Sequence, residues 1–496
     1  MRSGEMKDNE ASKDRRRRSE DSEESRGSGK HRWLEQQSTK LMIAQTPRTV
    51  QRKASGKKVL LVPVISILLL AATFSYVAVS PGRFSLFPFS SQPTPTVQLA
   101  PSSQIVEKRA PDIIGTEEMF MGDMLRKQWG AMWNLLSPDA QKTWQGEQDF
   151  VHFEQSKFGA VILKSYSASL PVIESNWRDP DTTQLYSSVA VMSVSLQLTA
   201  SAKLVSVPTL QALQKGLFDQ TLFALVQSRG SWLVLVAGPA DAEAPILVPA
   251  KLPAVTLTVP IMMYHHVSNK PAPNLLEYNL TVTTTDFDQQ LTWLQQHGYQ
   301  SISETDLFDA FYYGKALPAH PVMLTFDDGY EDMYTDALPV LLAHHDRGVF
   351  YIITGMIGGD YLTWNQVRTL AHNGMQIASH TIHHVNVGDP PAWTSTQAEL
   401  QVSKQTLEQQ LHEPIQFFCY PSGEPFHNDT YTEQQAVLAD LFNDGYVGAT
   451  LDPLTLDSAL QNAQTPYQLN RIRVSGGEDL QTFVGILDAV LSRSVT

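Results

Sequence analysis

An apolar run, Pro321-Val322-Met323-Leu324, leads directly into Thr325-Phe326-Asp327-Asp328-Gly329. Such a run ending in two carboxylates and a glycine predicts a strand buried on both faces that stops at a loop, as in a parallel sheet. Side chains alternate along a strand, so the neighbouring aspartates are expected to point in different directions, one to a metal and one to a substrate. The alternative is an ordinary acidic turn. A second stretch bears on that choice. Ser379-His380-Thr381-Ile382-His383-His384 follows another short run, Met375-Gln376-Ile377-Ala378. One helical turn would bring His380 and His384 to the same side. Two imidazoles with one carboxylate are a usual ligand set for catalytic zinc, with a position left for water.

These residues resemble the polysaccharide deacetylase family, also called the NodB-homology family or carbohydrate esterase family 4. Thr325-Phe326-Asp327-Asp328-Gly329 matches its first motif and His380-Thr381-Ile382-His383-His384 its second. Pro260-Ile261-Met262-Met263-Tyr264-His265-His266-Val267 resembles the opening strand of a bacterial subgroup acting on extracellular glycans. Tyr361-Leu362-Thr363-Trp364, Phe418-Cys419-Tyr420-Pro421-Ser422-Gly423 and Arg471-Ile472-Arg473-Val474 follow in the expected order. The resemblance covers residues 255–496. It implies a distorted (β/α)7 barrel, with Asp328, His380 and His384 as metal ligands and Asp327 as general base. A backbone N–H near Ser422 would serve the oxyanion, with Tyr420, Arg471, Arg473 and Trp364 around the substrate. The third motif departs from the family pattern, having Cys419 and Ser422 near the positions of its usual Arg and Tyr. Arg471 or Arg473 is the candidate substitute for the base-orienting Arg. The late Leu-x-His motif that supplies the general acid is absent, and His265 and His266 are the nearest candidates, against a structural role for each. His383 is expected not to be a ligand, and Cys419 is expected to be a small strand residue rather than a nucleophile.

The rest of the chain sets the context. Residues 1–58 carry a net +7 and the remainder −21, so the net charge of −14 hides an acidic body that argues against a nucleic-acid partner. The tail, with Arg15-Arg16-Arg17-Arg18, is too polar to fold alone. From Val59 to Val79 no residue is charged. That stretch would be about 31 Å long as a helix, enough to span a bilayer. Arg52, Lys53, Lys57 and Lys58 precede it, which predicts a single-pass anchor with the tail in the cytoplasm and the rest outside. A cleaved signal peptide is the alternative. A Pro/Ser-rich linker follows over 80–110. The single cysteine excludes an intramolecular disulfide and Cys-rich metal sites.

Residues 111–248 predict a small α+β domain. Phe120, Met124, Trp129, Met132, Trp133 and Leu136 recur at helical spacing up to Ser137-Pro138. Tyr186 to Leu198 reads as a strand. A hairpin turns at Ser228-Arg229-Gly230-Ser231. The order is similar to the NTF2-like fold. Trp129, Trp133 and Trp144 are expected in its core, with a sugar-binding cup as the alternative. Seven strands, near Ile261, Val322, Val349, Met375, Gln416, Tyr446 and Arg471, are expected in the second domain.

The predicted activity is release of acetate from an N-acetylated extracellular glycan, of peptidoglycan or poly-N-acetylglucosamine type. The metal is expected to be zinc, with cobalt, nickel or ferrous iron as alternatives. A carbohydrate-binding scaffold without turnover and an amidase acting on a non-sugar amide are the competing readings.

Overall fold

The computed structural model describes residues 112–494 except 180–181, 215–220, 238–245 and 453–457. The expected tail, the span Val59–Val79 and the linker lie outside the described residues. Among the described residues no helix is long and apolar enough to cross a membrane.

The first part, up to about residue 248, is an antiparallel sheet backed by helices. Its strands are β1 (Val161–Ala168), β2 (Val172–Glu174), β3 (Val189–Ala200), β4 (Thr221–Ser228) and β5 (Ser231–Ala237). They pair in the order β1-β3-β4-β5, with β2 also on β3. The hairpin between β4 and β5 turns at Arg229 and Gly230, both with positive φ (52° and 85°). Two left-handed residues give the turn whose twist matches that of the strands. The expected continuous helix from Phe120 to Leu136 is broken. Helices Ile113–Leu125 and Trp129–Trp133 flank Lys127, whose φ is 56°. The apolar spacing survives the break because both pieces still turn Phe120, Met124, Trp129 and Met132 into one core. Ser137 starts the next helix, accepting from Ala140 N. Trp129 is buried, while Trp133 and Trp144 pack half-buried against Phe150. Trp144 also lines a cleft of about 680 Å³ shared with Gln184, Tyr299 and Lys315.

The second part contains the seven expected strands: β6 (Ile261–Tyr264), β8 (His320–Phe326), β9 (Val349–Ile352), β10 (Gln376–Ser379), β11 (Phe417–Cys419), β12 (Gly448–Thr450) and β13 (Ile472–Arg473). They form a curled parallel sheet in the order β12-β11-β10-β9-β8-β6-β13, with β7 (Tyr299–Ser301) added beside the start of β8. The two ends meet: Thr450 of β12 bridges in parallel to Leu469, just before β13. β9 and β10 are buried at every residue; β9 is apolar throughout, while β10 buries Gln376 and Ser379 in hydrogen bonds to Thr305 and Ser403.

Alternate residues of the strands enter different cores. Phe350, Ile352 and Phe418 join the cluster under the outer helices, whereas Tyr351, Phe417 and Cys419 join one that continues into the first part of the chain. That continuity runs through helices Glu147–Phe158 and Glu304–Tyr313. Phe153 meets Tyr313 edge-on at 5.8 Å, and Tyr313 Oη accepts from Leu247 N at 2.6 Å. Glu304–Tyr313 precedes β8, so this seam lies at the N-terminal ends of the strands. The motif residues lie at the opposite ends.

Candidate active site

β8 stops at Phe326, and Asp327 N still donates to Tyr264 O on β6 at 2.9 Å. The chain then leaves the strand through Asp328 and Gly329, with φ of 77° and 80°. Glycine enters that region freely, and aspartate is among the few other residues that do so. The two carboxylates face different partners, as expected. The reason is this left-handed turn, because Asp328 is already beyond the strand whose alternation was invoked.

Asp327 is held by Arg471 in a fork, Nη1 to Oδ1 at 2.6 Å and Nη2 to Oδ2 at 2.8 Å. Arg471 is wholly buried and its Nε donates to Leu451 O. A bidentate guanidinium fixes both the position and the plane of a carboxylate. Burial works against ionisation of Asp327, and the Arg471 guanidinium more than offsets it, so the carboxyl titrates below its usual value. Arg473 does not share this role; it pairs with Asp452 at 2.6 Å. Cys419 occupies the floor, its Sγ 3.7 Å from Asp327 Oδ2. Burial pushes its thiol well up, so it stays protonated and is no nucleophile.

His380 and His384 are not on a helix turn. β10 ends at Ser379, and a loop follows in which Thr381 and His384 have φ of 69° and 55°. These two kinks, rather than helical periodicity, bring the rings to one side, 4.9 Å apart. His380 Nε2 and His384 Nε2 lie 3.3 and 3.2 Å from Asp328 Oδ1. Asp328 Oδ1 is buried and has no hydrogen-bond partner. Three donors each about 2.1 Å from a tetrahedral ion sit about 3.4 Å apart, so these atoms are spaced as ligands. His380 Nδ1 lies 2.8 Å from the Cys419 carbonyl. A carbonyl only accepts, so Nδ1 carries the proton and Nε2 is left as the free donor pair. The residues present therefore fit one divalent ion.

The two histidines after β6 part company. His265 points into the site, its Nε2 4.0 Å from Asp327 Oδ2. Burial lowers its pKa despite the two aspartates. His266 turns aside: its Nδ1 contacts Asp332 Oδ2 at 2.6 Å and its ring stacks on Tyr330 at 3.7 Å. Burial opposes its charge, but Asp332 and Glu277 raise its pKa overall. Its partners give it a bracing role. Ser422 is exposed at the turn after β11, with φ 52°. Tyr420 is buried and its phenol donates to Tyr467 O at 3.0 Å, so it does not serve substrate. Trp364 begins the helix Trp364–His372 and packs against the outer core.

Two neighbours were not foreseen. Tyr330 directly follows Asp327-Asp328-Gly329 and stacks on Tyr361 at 5.0 Å, and burial together with the nearby Asp328 charge pushes its phenol up. Its adjacency to the aspartates was the available signal. Glu399 is fully buried and bonds His383 Nδ1 at 2.8 Å. It lies far from the motifs in sequence, and nothing local marks it.

The family model of polysaccharide deacetylases matches residues 314–440. YxkH of Bacillus subtilis, which carries a provisional polysaccharide deacetylase name, is 31% identical over 245 residues, 49% of this chain and 78% of YxkH. The poly-beta-1,6-N-acetyl-D-glucosamine N-deacetylase of Escherichia coli is 33% identical over 135 residues, 24% of this chain and 20% of that enzyme. A solved structure described as Streptococcus pyogenes deacetylase PplD in complex with acetate aligns with a TM-score of 0.41 and 26% identity, covering 47% of this chain and 99% of that one. The likeness to YxkH runs through most of that protein's length, and the family model spans both the aspartate and the histidine stretches; on that ground the chain belongs to the polysaccharide deacetylase family.

Proposed function

We propose that the protein is a metal-dependent N-deacetylase acting outside the cell on a polymer of N-acetylglucosamine. The observation that carries this reading is the pairing of two sites at the strand ends. Asp328, His380 and His384 converge on one point, and Asp327, clamped by Arg471, stands beside it. A binding protein has no use for an oriented base next to a ligand set.

Zinc suits the two imidazoles and one carboxylate, and when bound it supplies Lewis acidity to the amide carbonyl and the attacking water. Asp327 accepts the water proton as the C–O bond forms. Arg471 keeps that carboxylate ionised and in plane. His265, with Nε2 4.0 Å from Asp327 Oδ2, passes the proton that Asp327 took from water on to the leaving nitrogen, giving acetate and a free amine. Backbone N–H from the turn at Ser422 stabilises the developing oxyanion. Arg471 thus takes the place of the third-motif arginine.

A poly-β-1,6-linked substrate is supported by the named activity of the E. coli relative. The lysines and arginines before Val59–Val79 support an anchored enzyme with residues 80–110 as linker, an NTF2-like domain over 111–248 and a (β/α)7 barrel over 255–496. The test is acetate release from poly-β-1,6-N-acetylglucosamine and from peptidoglycan fragments, by zinc-loaded and chelated protein. Release from the loaded form alone is expected. No release from either glycan with zinc, cobalt or nickel supplied overturns the reading.

A further inference from the structure

The loop from His380 to His384 holds two left-handed residues, and hydrogen bonds from several elements fix its backbone. Thr381 O and Ile382 O accept from Thr354 N and Gly355 N at 3.1 and 2.9 Å. A side chain at 355 would meet Ile382 O at 2.4 Å, so glycine permits this close approach. His384 N donates to Thr381 Oγ1. The amides of Ile382 and His383 go to one buried carboxylate. Glu399 Oε2 accepts from Ile382 N at 2.9 Å and His383 N at 3.0 Å. Its Oε1 contacts His383 Nδ1 at 2.8 Å and accepts from Thr394 Oγ1 at 2.7 Å. Glu399 lies on a π-turn, Ala398–Val402, a local widening of a helix that is frequent at functional sites.

We infer that Glu399 is the positioning residue of the metal loop: by accepting four hydrogen bonds it holds His380 and His384 aimed at Asp328. The inference rests on the metal assignment above. The two amides can only donate, and against the ionised carboxylate the His383 imidazole and the Thr394 hydroxyl donate as well. Glutamine has nearly the same shape but removes the charge and replaces one of the two accepting oxygens by an NH2 group, so His383 and Thr394 must reverse their roles or the two amides lose their acceptor. The same carboxylate ties down Thr394, whose neighbour Trp393 is 65% exposed and stands edge-on to His383 at 4.9 Å. Glu399 therefore links the exposed rim of the site to its metal ligands.

The test measures zinc affinity by chelator competition on the full chain, without substrate. Loss of an outer-shell support costs roughly 10–100-fold in metal affinity. Glu399→Gln is expected to fall in that range, and excess zinc should restore kcat with KM unchanged. Glu399→Asp should recover part of the affinity. Should Glu399→Gln fail to fold, the double variant Thr394→Val/His383→Leu removes both partners of Oε1 and is expected to weaken zinc binding severalfold. Wild-type zinc affinity in a folded Glu399→Gln, or in the double variant if that is the one that folds, overturns the inference and leaves the metal site intact. Absence of zinc binding by the unaltered protein overturns the metal assignment instead.

Discussion

The two ends of the parallel sheet both bury charges, and they do so differently. At the N-terminal seam Lys157 Nζ lies 3.4 Å from Asp309 Oδ1, with neither side chain exposed, and Glu154 is buried beside them. Lys157 is further enclosed by the rings of Phe153 and Tyr313 at 5.2 and 5.3 Å. Nearby, Asp306 is clamped by Lys315 and Arg347. At the C-terminal end Arg471 clamps Asp327 in the same way; buried carboxylate oxygens without a hydrogen-bond partner occur at both ends, on Glu154 and Asp309 as on Asp328, but Asp328 Oδ1 lies against two imidazole nitrogens and His384 keeps 31% of its side chain exposed. Burying paired charges alone does not make a site, since ion-pair networks of this kind also serve structure. Convergence of two imidazole nitrogens and a carboxylate oxygen on one reachable point is what sets the C-terminal end apart.

The strongest way to break this contrast is to remove a ligand at one end and a charge at the other. His380→Ala and Asp328→Asn are expected to bring both zinc content and acetate release to background, as read by elemental analysis and a deacetylation assay. Full metal occupancy in either variant would refute the assignment. Asp327→Asn keeps the shape and removes the base. It should retain zinc yet lose on the order of 10²–10⁴-fold in kcat. Equal rates in this variant and the unaltered enzyme would strip Asp327 of its role.

Lys157→Met applies the comparison to the seam. Removing one partner of a buried pair costs roughly 3–5 kcal/mol because the other charge is left uncompensated. Denaturant unfolding should show a loss of that order, while activity per folded molecule and zinc content stay unchanged. A selective loss of activity without a loss of stability would mean that the seam takes part in function.

The sequence made the C-terminal end legible because its chemistry is written in short, contiguous stretches. Asp327, Asp328 and the His380 segment follow their strands directly, and apolar runs along residues 255–496 marked the seven strands. What was not legible depends on pairing between distant segments. Arg471 and Arg473 are two residues apart and were equal candidates for orienting the base. Their assignment follows from the curl of the sheet, which brings Arg471 inward to Asp327 and leaves Arg473 with Asp452. His265 and His266 were separated in the same way, by which face of the chain each occupies as it leaves β6. Spacing also gave a correct outcome for a wrong reason at His380 and His384, where two left-handed residues replace a helical turn. Glu399, Glu154 and Lys157 had no local signal, since a buried charge on a helix reads as a solvated one until its neighbours are known.

The smallest expected effect is the pH dependence of the seam. Burial, offset in part by Lys157 and reinforced by Asp309, pushes the Glu154 carboxyl up from 4.5 to about 8. Below 4.5 the group is protonated in both folded and unfolded chains, and its contribution is constant. Between 4.5 and about 8 the unfolded chain ionises while the folded one keeps its proton. The folded state then binds more protons, so stability falls as pH rises through this window and levels off above it. Glu154→Gln cannot ionise and should lack this slope. Thermal unfolding at a series of pH values should give nearly equal midpoints below 4.5 and a variant more stable by a few degrees at pH 8. The raised carboxyls of Asp309 and Glu117 are present in both proteins, so the difference isolates residue 154. Parallel curves across the window would show that Glu154 is ionised in the folded protein and that Lys157 balances two carboxylates rather than one.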